Sequence, residues 1–249
     1  MARQKLGQHF LQSEHILERI AVAACGDHAG TVIEIGPGNG ALTEHLLRRV
    51  DRLIAIELDQ DLAAGLRLRW AAEPRLTIVR GDALNQDFAI WEPEVICGNL
   101  PYYVATPILA RAVRSGAPCV ALIQKEVASR IAARPGSTDY GFLTCEIGLF
   151  AEPRLLFTVK PGSFRPPPKV DSAVIRLTPR ALSAELQVDP DAFLRFLSAC
   201  FRHKRKTLRN NLAEAYPVDR IERLSAGSLR AEQCSLEELA AIYRDLLVS

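Results

Sequence analysis

Residues 31–43 read TVIEIGPGNGALT. Four of the first five are β-branched, which favours an extended strand, and three glycines in the next five positions end it. A helical pattern follows. Strand, glycine-rich turn and helix is the arrangement through which an open α/β sheet binds ligands at the carboxyl edge of its strands. Glycine at such a turn lets the backbone approach a bound molecule closely. Gly36-Pro37-Gly38-Asn39-Gly40 has the spacing GxGxG rather than the GxGxxG of dinucleotide binders, and Glu34 stands two positions before the first glycine. The pattern favours S-adenosylmethionine over NAD. Taken by itself, a simple turn between strand and helix accounts for the loop equally well.

The alternation continues toward the C-terminus. RLIAIELD (52–59), RLTIVRGD (75–82), EVICGNLPY (94–102) and PCVALIQK (118–125) are apolar, β-rich runs separated by helical patterns. They predict a mainly parallel sheet covered on both faces. Upstream, Ser13 is placed to cap a helix reaching Cys25, with Ile16, Leu17, Ile20 and Val22 at helical spacing. Two more strands are expected near Arg154–Val159 and Ser172–Leu177, joined by KPGSFRPPPKVD (160–171). Proline cannot donate to a ladder, so that connection reads as a rigid extended loop, and its shortness implies a hairpin with an antiparallel last strand. From Asp191 onward the chain reads as helix throughout. The expected architecture is a Rossmann-like, class I methyltransferase α/β fold: seven strands, mainly parallel, plus a small helical C-terminal domain. Pro179 and Pro190 bracket a polar link, giving a methyltransferase domain over 1–180 and a helical domain over 188–249.

Composition narrows the class. With 249 residues, 48% hydrophobic and 24% charged, the chain can bury a full core and is neither disordered nor membrane-embedded. The basic N-terminus lacks the apolar stretch of a secretory leader, so a cytoplasmic location is expected. Cys25, Cys97, Cys119, Cys145, Cys200 and Cys234 form no CxxC pair, which argues against a metal site or a disulfide framework. Nothing suggests a dimer interface, so a monomer is expected. The net charge of +2 conceals an asymmetry: residues 154–210 hold 12 Lys and Arg against 4 Asp and Glu. Such a block suits a polyanion. A solvated basic face would look the same.

Each further strand end carries a candidate contact. Glu57 can accept from both ribose hydroxyls of an adenosine, while Asp59 reads as the cap of the next helix. Asp82, followed by Ala83, can accept from an adenine amine. The fourth strand ends in Asn99-Leu100-Pro101-Tyr102, and this motif explains itself chemically. An adenine exocyclic amine is a poor nucleophile because its lone pair is delocalised into the ring. Two acceptors on its hydrogens, the Asn99 side-chain oxygen and the carbonyl of Leu100 or Pro101, bias it toward an electron-rich tetrahedral form. Tyr102 offers a face on which an extruded base can stack. Phe164, held among prolines, is expected as the second wall of that base pocket. Its alternative role is a loop phenylalanine packed into an interface.

With these residues in place, the chain resembles the ribosomal RNA adenine N6-dimethyltransferase family, in particular its bacterial small-subunit (16S), kasugamycin-sensitivity branch. GQHFL (7–11), VIEIGPGNGALT (32–43), ELD (57–59), GDAL (81–84), NLPY (99–102), QKEVASR (124–130) and SFRPPPKVDSAV (163–174) occur in order, and FRHKRKTLRNNL (201–212) resembles that branch's helical domain. The resemblance implies that His9, Leu11, Gly36, Glu57, Asp82 and Asn99 contact S-adenosylmethionine. Glu34, Gly38, Gly40 and Ala83 belong to the same expected cofactor set. It further implies dimethylation of two adjacent adenosines in the 3′-terminal hairpin of 16S rRNA, on precursors of the small ribosomal subunit. Two departures stand near the pocket: His9 where Asn is usual, and Tyr103-Val104-Ala105-Thr106 where Asn and Ile precede a Ser or Thr pair.

Arg202, Lys204, Arg205, Lys206 and Arg209 put five cations within eight positions of an expected helix, suited to phosphates. Three rival readings remain. A macrolide-resistance-type large-subunit methyltransferase shares the NLPY chemistry but not the C-terminal match. A non-catalytic assembly factor would not need the complete acidic and glycine set. An NAD-dependent dehydrogenase fails on the glycine spacing.

Overall fold

The structure is a computed structural model and describes residues 9–247; the basic N-terminal residues read for a leader, with Gly7 and Gln8 of GQHFL, lie outside the described residues. In chain order the elements are β1 (Phe10–Leu11), α1 (Glu14–Cys25), β2 (Ala29–Ile35), α2 (Ala41–Leu47), β3 (Val50–Glu57), α3 (Gln60–Arg69), β4 (Leu76–Arg80), β5 (Val95–Asn99), α4 (Ala105–Arg114) and β6 (Cys119–Gln124). There follow α5 (Lys125–Ile131), α6 (Phe142–Gly148), β7 (Ala151–Val159), β8 (Phe164–Arg165) and β9 (Ser172–Pro179). The chain ends in α7 (Leu182–Glu185), α8 (Pro190–Cys200), α9 (Leu208–Leu212), α10 (Val218–Glu222) and α11 (Leu236–Leu247).

Seven strands form one sheet in the order β4-β3-β2-β5-β6-β9-β7. The pairs β3–β4, β2–β3, β2–β5 and β5–β6 are parallel, and β9 lies antiparallel to β6. The expected sheet, with its antiparallel last strand, is therefore present. Strand order reverses beside β2, so the helices following β2 and β5 leave on opposite sides and open a crevice at their carboxyl ends. Register brings those ends level: Glu34 faces Ala55 and Cys97, and Glu57 faces Arg80. β2, β5 and β6 are almost wholly buried, as parallel strands covered on both faces must be. Gly98 serves that packing, since a β carbon there would lie 2.2 Å from the Ile35 carbonyl oxygen.

Three local expectations change. Ser13 sits at the start of α1 but its hydroxyl caps nothing; its carbonyl accepts the amides of Ile16 and Leu17. Val22 is 45% exposed, and the buried stripe of α1 is Leu17, Ile20, Ala21, Ala24 and Cys25. The proline-rich connection is not entirely loop: Phe164 and Arg165 pair antiparallel with Leu11 and Phe10 as a separate two-stranded sheet. Both residues keep their amides, and the position before a proline favours extended backbone.

The chain divides into two compact units, Met1–Ala128 with Arg154–Pro179, and Ser129–Pro153 with Arg180–Ser249. This corrects the single boundary near residues 180–189: residues 129–153 leave the sheet unit. The reason is apolar. Tyr140, Cys145 and Leu149 are buried in one cluster with Phe193, Phe196, Leu239 and Tyr243 of the C-terminal helices. Asp189 caps α8 by accepting from the Ala192 amide, with Pro190 at its first position. The long helix expected from Asp191 breaks at Cys200. Buried Asn211 satisfies the break, donating from Nδ2 to the Cys200 and His203 carbonyls (2.8 and 3.1 Å) and accepting from the His203 amide (3.1 Å). Among the described residues, no helix is long and apolar enough to cross a membrane.

Candidate active site

A cavity opens at the carboxyl ends of β2, β3, β4 and β5, and His9, Leu11, Glu34, Gly36, Gly38, Glu57, Asp82, Ala83, Asn99, Leu100, Pro101 and Tyr102 all line it. The sequence motifs converge because each follows a strand of the same parallel set. Gly36 adopts φ +71°, a left-handed conformation that glycine reaches without strain, where the loop lies beside the NLPY turn. Gly38 adopts φ +60°, and its amide donates to Glu57 Oε2 at 2.9 Å. Gly40 is a correction to the expected cofactor set. It lies off the cavity wall, at the start of α2, where a β carbon would come within 2.3 Å of the Trp70 ring.

Two carboxyl groups are buried in the floor. Glu57, 3% exposed, also accepts the Asp59 amide at Oε1 (2.9 Å), so each oxygen holds one backbone donor and keeps a lone pair. Burial raises its pKa, and the amides of Asp59 and Gly38 work against that rise. Glu34, 1% exposed, accepts the Thr43 hydroxyl at 2.6 Å. Burial pushes its pKa up to about 8; the Thr43 hydrogen bond opposes this and the charge of Glu57 adds to it. Asp82 commits one oxygen to the Leu84 amide (2.9 Å), heading the 3₁₀ turn that starts at Ala83. Asp59 accepts the amides of Asp61 and Leu62, the helix cap that its position implies.

The NLPY turn is held from three directions. Asn99 Nδ2 donates to the His9 carbonyl at 2.9 Å. A carbonyl only accepts, so this contact fixes which way the amide faces and leaves Oδ1 as an acceptor. The Pro101 carbonyl accepts the Val104 amide at 3.1 Å, closing the turn before α4. The Tyr102 hydroxyl and Ser172 Oγ lie 2.6 Å apart, anchoring the ring to β9, and the His9 ring is 5.6 Å from that of Tyr102 at 33°.

Phe164 is the second correction. It is 2% exposed and packs with Leu11, Leu17 and Val174 in the core of the sheet unit, not on the cavity wall. Pairing with Leu11 in the β1–β8 ladder aims it inward. Sequence reasoning missed Phe10, whose ring would lie 3.0 Å from a β carbon on Gly38 and which lines the cavity, and Ser172, the anchor of Tyr102. The HFL triplet was the available signal for Phe10; nothing in the sequence pointed to Ser172.

The third correction concerns the basic cluster. Arg202, Lys204, Arg205 and Lys206 lie in turns between α8 and α9, and Arg209 is on α9. Arg202 is paired with Glu214, and Lys204 Nζ donates to the Thr138 carbonyl at 2.6 Å. Arg205, Lys206 and Arg209 are exposed.

Known proteins are similar to this chain over nearly its whole length. The family described as "Ribosomal RNA adenine dimethylase" matches residues 1–246. A ribosomal RNA small subunit methyltransferase A of Acidobacterium capsulatum is 46% identical, covering 98% of this chain and 91% of its own. One from Pseudomonas aeruginosa is 40% identical, covering 98% and 94%. Among solved structures, a dimethyladenosine transferase from Plasmodium falciparum is similar at TM-score 0.80 and 26% identity, covering 94% of this chain and 96% of its own. The 23S rRNA methyltransferase ErmE is similar at TM-score 0.70 and 26% identity, covering 95% and 99%. The fold is that of a class I methyltransferase, and with the match spanning nearly every residue the chain belongs to the ribosomal RNA adenine dimethylase family.

Proposed function

We propose that this chain uses S-adenosylmethionine to dimethylate the exocyclic N6 amines of two adjacent adenosines in the 3′-terminal hairpin of 16S rRNA, acting on precursors of the small subunit. The observation that carries this reading is the Asn99 amide, turned by the His9 carbonyl so that its oxygen is an acceptor beside the glycine loop. The names of the small-subunit relatives support the choice of RNA over the large-subunit alternative.

The cavity suits the methyl donor on its own chemistry. A β carbon at Gly38 would press on the Phe10 ring in the cavity wall, the buried Glu57 carboxylate keeps a lone pair on each oxygen for ribose hydroxyls, and Asp82 keeps an oxygen for an adenine amine. When bound, S-adenosylmethionine supplies an electrophilic methyl group on a sulfonium centre. The protein's own part is placement. Asn99 Oδ1 and the carbonyl of Leu100 or Pro101 accept the two hydrogens of the target amine and localise its lone pair. Tyr102, anchored on Ser172, presents a ring against the extruded base. No strong base is called for, because the amine loses its proton after transfer; alignment supplies most of the rate. Exposed Arg205, Lys206 and Arg209 contact RNA phosphates.

The test is nucleoside mass spectrometry of unmodified small subunits incubated with the protein and isotopically labelled donor. Labelled dimethyladenosine in 16S rRNA is expected. Its absence there, or its appearance only in free 23S rRNA, overturns the reading.

A further inference from the structure

We propose that the His9 side chain is a positioning residue for the methyl-accepting side of the site, acting through Asn99 and Tyr102. The inference rests on the function proposed above and deepens it. An asparagine amide has two faces related by a half-turn of its terminal torsion, and only one presents oxygen to the target amine. In this chain the His9 carbonyl selects that face. The selection is only as firm as the peptide carrying the carbonyl.

That peptide lies just outside the two-residue ladder. β1 begins at Phe10, and pairing with β8 covers Phe10 and Leu11. What ties down His9 itself is its ring: Nδ1 lies 2.8 Å from the Pro166 carbonyl oxygen. Since a carbonyl only accepts, Nδ1 carries the hydrogen in this contact. The ring therefore extends the clamp one residue beyond Arg165, to a proline that has no amide to offer. The same ring lies 5.6 Å from Tyr102, whose hydroxyl is fixed on Ser172. One side chain thus braces both groups that address the adenine, the amide through the backbone and the aromatic face directly.

The experiment measures two quantities for the wild type, His9→Ala, His9→Gln and His9→Phe: cofactor affinity by calorimetry, and the single-turnover rate of methyl transfer to small subunits at saturating cofactor. For His9→Ala the rate at saturating cofactor should fall about tenfold, the scale of a modest loss of alignment, whatever change in cofactor affinity accompanies it. His9→Gln, which keeps a donor for Pro166, should recover most of the rate; His9→Phe, which keeps only the ring, should not. Affinity falling in parallel with an unchanged saturating rate would reduce His9 to a cofactor contact and overturn the proposal. So would equal rates in Gln and Phe, or wild-type rates in Ala. A wild-type protein that forms no dimethyladenosine overturns the proposed function, and this inference with it.

Discussion

Asn99 must be both donor and acceptor, and the two roles cannot be exchanged: Nδ2 faces a carbonyl, so only Oδ1 is left for the amine. Asn99→Ala removes that acceptor and should lower the single-turnover rate at saturating cofactor by on the order of a hundredfold, as loss of one preorganised polar contact does at comparable sites. Glu34 yields a prediction of a different kind. The folded protein keeps its proton at pH values where the unfolded chain has released it. Its stabilising contribution is therefore complete below about 4.5, declines above that and is gone once pH passes about 8. Denaturation of cofactor-free protein should show Glu34→Gln gaining on the wild type by roughly a few kcal/mol between those limits. Equal pH slopes for the two proteins would contradict this. At this scale the acids and the NLPY turn were legible because each residue type has one evident use at a strand end. Gly40 and Phe164 were not: whether a side chain faces the cavity or the core depends on register, and register is set by partners far along the chain.

At the scale of elements, the fit of β5 against β2 is, among the described residues, the tightest made by a single missing side chain. Gly98→Ala would drive a methyl group into the Ile35 carbonyl, which being backbone cannot swing aside. A loss of about 3 kcal/mol or more in chemical denaturation is expected, at the upper end for overpacked cores. Nothing in the sequence singled out Gly98 beyond its place in an apolar run. The seven strands themselves were readable, because parallel strands buried on both faces leave continuous apolar runs. β1 and β8 were not, since two residues carry no periodicity and their pairing spans more than 150 positions. The break after Cys200 was hidden as well. It depends on one buried amide, Asn211, taking over the hydrogen bonds of the missing helical turn.

For the molecule as a whole, the basic segment 154–210 is shared between the units: Arg154, Lys160, Arg165, Lys169 and Arg176 belong to the sheet unit, and the other seven cations to the helical one. Charge counted along the chain therefore does not assign the cations to one unit. Reversing Arg205 and Lys206 to Glu should weaken ribosome binding and flatten its salt dependence by about one unit of log–log slope per lost phosphate contact. S-adenosylmethionine affinity should be unchanged; a loss of cofactor binding would count against a purely electrostatic role. The excursion of residues 129–153 has a consequence for how such a protein can be cut. A chain ending at residue 180 would retain Tyr140, Cys145 and Leu149 while losing the aromatic residues that cover them. It should aggregate rather than behave as a free-standing catalyst, as light scattering would reveal. Inheritance follows the same logic: the helical half cannot be acquired or shed as a cassette in one genetic event, because part of it is encoded inside the gene for the other half.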